Sequence, residues 1–178
     1  MSGHNKWAQI KHKKAITDSK KSKIFSKLVR YIAVEAKLSG GKESPGLRAA
    51  IEKAKKVNMP SENIERAIKK ASEPGASMES ITYETYGPGG AGIIIETLTD
   101  SKNRTAQEIK HILSKNGFAL AGIGSVVWSF VKEKTPEGLI WKPNTTIPLS
   151  DTDLELLEKV IDELEELDDV QDVYTNAE

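Results

Sequence analysis

The chain has 178 residues, with 26 Lys/Arg balanced by 26 Asp/Glu and no cysteine. That length allows one large domain or two small ones and buries enough surface to fold without staples. The missing cysteines exclude a disulfide scaffold, thiolate zinc sites and a cysteine nucleophile, and apolar runs such as Gly92-Ile93-Ile94-Ile95 fall far short of the roughly 20 residues a membrane span needs.

Residues 1–21 hold Lys6, Lys11, Lys13, Lys14, Lys20 and Lys21 against one acid, Asp18. Apolar residues are sparse there, which predicts an extended or weakly helical basic arm. The arm lacks the apolar stretch of a secretory signal and differs from the Arg-rich transit peptides. A cytoplasmic location is therefore expected, where the N-x-T sequons at Asn103 and Asn144 are idle.

A helix is predicted at about 22–38, where Ile24, Phe25, Leu28, Ile32 and Ala36 recur at spacings of three and four. Lys20, Lys23, Lys27 and Arg30 fall on its other side. Ser44-Pro45 opens a second helix with the stripe Leu47, Ile51, Ala54, Val57. Ser61 opens a third, acidic at its start and basic at Lys69 and Lys70, as the helix dipole favours. Together they predict a three-helix bundle over 22–75.

The pattern changes at residue 80. Ile81 to Tyr86 alternates as a strand, Gly87-Pro88-Gly89-Gly90 is a turn, and Gly92 to Thr99 is a β-branched strand. A helix is expected at 103–116, a strand from Ser125 to Val131, and one or two short strands within 138–149. A helix at 151–167 and a strand from Asp169 to Tyr174 complete the domain, 80–176. The predicted class is α+β: a helical bundle, then a ferredoxin-like β-α-β-β-α-β sandwich with one extra strand in front.

Gly87 to Gly92 fits G-x-G-x-x-G, but a dinucleotide site needs that string to open a helix, and a strand follows here. His4, His12 and His111 have no partners at metal-ligand spacing. Ser125 lacks the second glycine of a nucleophile elbow. The carboxylates of 151–172 read as a solvated face with no burial to shift their pKa. No catalytic constellation, cofactor site or small-molecule substrate is expected.

Charge carries the functional signal. Residues 1–75 hold 18 Lys/Arg against 7 Asp/Glu, whereas residues 150–178 hold one Lys against 12 Asp/Glu. Such polarity suggests nucleic-acid contact through the basic end, or attraction between the two ends. The candidate phosphate contacts are Lys6, Lys11, Lys13, Lys14, Lys20, Lys23, Lys27 and Arg30, with Trp7 and His12 as companions. Trp7 either stacks on a base or anchors the arm. A competing reading is a protein-interaction adaptor working through the acidic helix 151–167.

Gly3-His4-Asn5-Lys6-Trp7-Ala8-Gln9-Ile10-Lys11-His12-Lys13-Lys14-Ala15 and Lys23-Ile24-Phe25-Ser26-Lys27-Leu28 resemble signatures of the YebC/PmpR family, whose mitochondrial member is a translational activator of cytochrome c oxidase. Tyr86 to Gly90, Thr99 to Thr105, Gly124 to Phe130 and Asp168 to Tyr174 match in order along the chain. The resemblance implies a helical domain followed by two α/β domains, the third inserted into the second. That third domain is expected to be missing near 132–144. Ser101, where relatives usually carry Asn, and Phe118, where a second glycine is common, are smaller departures. The resemblance implies a DNA-binding transcriptional regulator, or alternatively a ribosome-associated factor acting on translation. The implied partner is DNA or ribosomal RNA. No base-reading motif is evident, which favours a backbone or shape reader.

Overall fold

Apolar spacing of three and four builds the first unit. The computed structural model describes residues 18–73, 77–135 and 138–178. Helix α1 spans Asp18–Leu38, α2 Pro45–Lys56 and α3 Ser61–Ala71. Helix α1 starts earlier than its periodicity predicts because residues 18–22 contain no apolar side chain to mark a stripe. It ends where Gly40 and Gly41 take positive φ, and the Gly41 N–H closes on the Ala36 carbonyl at 2.7 Å. Ser44 caps α2 by accepting the Leu47 N–H at 3.1 Å. Ile32, Leu47 and Ile64 form the core of this unit with small residues such as Ala50, Ala54 and Ala67 between them.

Strand β1 (Glu79–Tyr86) and strand β2 (Gly92–Thr99) pair antiparallel from Glu79↔Thr99 to Tyr86↔Gly92. The Pro88–Gly90 turn between them needs Gly89 and Gly90, whose φ values are 62° and 79°. Helix α4 (Lys102–Lys115), strands β3 (Phe130–Thr135) and β4 (Gly138–Pro143), helix α5 (Asp151–Glu165) and strand β5 (Val170–Thr175) follow. The main sheet has the order β1-β2-β5, and β3 and β4 form a separate antiparallel ribbon. On one face of the sheet, Ile93 and Ile95 pack with Ile109, Leu113, Leu157 and Ile161 of α4 and α5. On the other, Ile94 packs with Val126 and Phe130, and Trp141 of the ribbon joins them. Burial on both faces explains why β2 is an apolar run rather than an alternation.

The α+β class and the helical unit agree with the sequence reading, and two details differ. In a single ferredoxin-like sheet β4 would lie beside β2; β1 occupies that side instead, and the β3–β4 ribbon folds over the sheet's back. The strand expected from Ser125 to Val131 begins at Phe130, after a 3₁₀ turn at Val127–Ser129. The physical cause is Glu84. Its carboxylate accepts the N–H groups of Gly124 (2.7 Å), Val126 (2.7 Å) and Val127 (3.0 Å), so these donors serve a side chain rather than a ladder.

Candidate nucleic-acid interface

Six of the ten residues singled out, Lys6, Trp7, Lys11, His12, Lys13 and Lys14, lie outside the described residues, as does the Lys20 side chain at the start of α1. Lys23, Lys27 and Arg30 are spaced i, i+4, i+7 and so run along one strip of α1. That strip meets the acidic turn after α5. Lys23 pairs with Glu166, and Arg30 Nη2 lies 3.2 Å from Asp169 Oδ1. Attraction between the basic and acidic ends is thus realised within the molecule at two of the candidate contacts. Tyr31, next on α1, is half-buried under Lys53, whose Nζ is 5.4 Å from the ring centroid. Burial, then the charges of Glu35 and Asp172, raise its pKa.

Asp169 corrects one expectation. The acidic tail does not consist of solvated carboxylates alone, because Asp169 is only 2% exposed. Its Oδ2 accepts hydrogen bonds from Thr105 Oγ1 (2.6 Å), Arg104 Nη2 (2.8 Å) and Thr99 Oγ1 (3.1 Å). Burial alone would raise its pKa. Hydrogen bonds from Thr105 and Arg104, the Arg30 charge and the Thr99 hydroxyl outweigh burial and hold it below the ordinary range. Arg104 also reaches Asp100 at 2.7 Å. Ser101 precedes α4 without a side-chain cap bond, and its carbonyl lies 3.1 Å from Thr105 Oγ1, whose proton goes to Asp169. Sequence reasoning gave these residues no role, although Thr99, Arg104 and Thr105 sit in one of the matched strings and Asp169 in another.

Glu84 is the second site that the sequence did not reveal. It is 5% exposed, and three backbone N–H groups overcome its burial to lower its pKa. Beside it, Tyr86 OH and Trp128 Nε1 both donate to the Ser125 carbonyl, the latter at 2.7 Å. Exposed cations continue over α2 and α3 at Lys55, Lys56, Arg66, Lys69 and Lys70. Among the described residues no group of three His, Cys, Asp or Glu side chains could hold a metal, and no helix is long and apolar enough to cross a membrane.

Comparison with known proteins places this geometry. A family model described as the TACO1/YebC protein N-terminal domain matches residues 5–74. A model of the TACO1/YebC second and third domain matches 78–137 and 131–177. The chain belongs to the TACO1/YebC family. A relative in Fervidobacterium nodosum, named a probable transcriptional regulatory protein, is 40% identical over 235 positions, covering 99% of this chain and 93% of its own. One of the same name in Petrotoga mobilis is 44% identical over 183 positions, covering 100% and 71%. The crystal structure of a conserved hypothetical protein from Aquifex aeolicus superposes with a TM-score of 0.86 at 34% identity, covering 97% of this chain and 96% of that one. The Fervidobacterium alignment spans 235 positions against 178 residues here, so at least 57 of its positions have no counterpart in this chain. The two matched pieces of the second model meet at 131–137, in the β3–β4 ribbon.

Proposed function

We propose that this TACO1/YebC chain is a nucleic-acid-binding regulator of gene expression that acts in the cytoplasm as a DNA-binding transcriptional regulator, without catalysis or a cofactor. The observation that carries the reading is the charge polarity, 18 Lys/Arg against 7 Asp/Glu over residues 1–75. The names of the relatives in Fervidobacterium and Petrotoga support it. The arm cations Lys6, Lys11, Lys13, Lys14 and Lys20, with Lys23, Lys27 and Arg30 of α1, contact phosphates rather than base edges. Trp7 and His12 accompany them. On this reading the family's third domain is the part without a counterpart, near 132–144, and binding rests on the helical unit and the arm.

Crosslinking in cells, followed by sequencing of the attached nucleic acid, tests this reading. Promoter DNA is the expected product. Ribosomal RNA would replace transcription with the ribosome-linked role. Recovery of neither above background contradicts nucleic-acid binding.

A further inference from the structure

The helical unit meets the α/β domain through a charged contact whose two halves are unequal. The Asp169 charge is neutralised without Arg30, because its Oδ2 keeps Thr99, Arg104 and Thr105. Arg30 is not complete with Asp169. Its Nη1 and the Asp169 Oδ1 are both buried without a hydrogen-bond partner, although the pair stands at 3.2 Å. A guanidinium prefers a forked, bidentate oxyanion, and the turn offers it one half-used oxygen. The neighbouring Lys23–Glu166 pair is solvent-accessible, with Glu166 61% exposed, and such pairs hold weakly.

We propose that the α1 strip carrying Lys23 and Arg30 serves two occupants: the chain's own acidic turn at 166–169 in the free protein, and nucleic-acid phosphate in the bound one. The turn is an internal competitor. Carboxylates of the −11 C-terminal stretch (one Lys against 12 Asp/Glu over 150–178) stand where phosphates would stand. Release of Arg30 leaves Asp169 still neutralised by Arg104, so undocking strands no unpaired buried charge. A phosphate offers Arg30 the second oxygen that Asp169 does not. Screening weakens the exposed Lys23–Glu166 pair first. The helical unit then binds nucleic acid by exchanging partners on one strip rather than by exposing a new one.

This inference rests on the nucleic-acid reading, and one experiment separates the two. The cysteine-free chain accepts Lys23→Cys with Glu166→Cys, joined by a short bis-maleimide or capped separately with N-ethylmaleimide. Both forms are titrated, beside the unmodified protein, with a labelled duplex DNA and a labelled hairpin RNA. The tethered form is expected to bind about tenfold more weakly than the capped form. Glu166→Gln, with the competitor weakened, is expected to bind about two- to fivefold more tightly than the unmodified protein. Equal affinity of tethered and capped forms, or no tightening in Glu166→Gln, overturns the shared strip while leaving nucleic-acid binding intact. Failure of the unmodified protein to bind either probe overturns both.

Discussion

Asp169 and Glu84 stay ionised inside the protein because donors reach each of them from a distant part of the chain. For Asp169 these are Thr99 at the end of β2 and Arg104 and Thr105 in the first turn of α4, with the Arg30 charge added from α1. Asp169→Asn keeps the shape but removes the countercharge. It should cost about 2 kcal/mol, less than a fully buried pair, because Arg104 and Arg30 still reach water. A lower urea midpoint at unchanged m checks this. The pH dependence has a defined sign. The folded-state pKa of Asp169 lies below the ordinary value of about 4, so the unfolded chain takes up the proton first. Its stabilisation is whole above about pH 4 and is lost as pH falls through the lowered value. Asp169→Asn should therefore unfold with a shallower acid limb in a pH series. Neither carboxylate was legible in the sequence. Asp169 is one of twelve acids over 150–178, six of them exposed, and nothing local distinguishes it from Asp168.

Periodicity made the helices and β2 readable, because each buries a stripe or run that its own residues display. Ser44 was readable too, since a cap acts within three residues. Ser44→Ala should lower stability by about 1 kcal/mol, seen as a shift of the denaturant midpoint. The segment 118–129 was not readable. Its turns are set by Glu84, about forty positions away on β1, and no local pattern encodes that. Glu84→Gln replaces an acceptor with an amide whose NH₂ confronts backbone donors. It should cost about 2 kcal/mol, and hydrogen exchange should quicken at Gly124, Val126 and Val127. Sheet order was hidden for a similar reason: alternation marks β1 as a strand, not which neighbour it pairs with. Ile94 marks the outcome. It faces the ribbon rather than the helices, and Ile94→Ala should cost about 3 kcal/mol by thermal or urea unfolding.

Across the whole molecule the charge polarity has two uses. Part is spent within the chain, where Lys23 and Arg30 meet Glu166 and Asp169. Cations along α2 and α3, such as Lys55, Lys56, Arg66, Lys69 and Lys70, are offered outward. An adaptor working through the acidic helix would instead lose its function when Glu155, Glu158 and Asp162 are reversed to Lys. The nucleic-acid reading predicts little change in that variant. The most direct measurement is the affinity for nucleic acid as a function of salt, for the unmodified protein and for Lys11→Ala with Lys13→Ala and Lys14→Ala. With about six phosphates neutralised, affinity should fall about 10³-fold between about 50 and 200 mM salt. The triple variant should bind every sequence more weakly, with a slope flatter by about three contacts. An unchanged slope would contradict the assignment of those lysines to phosphate, and salt-independent binding would contradict the account as a whole.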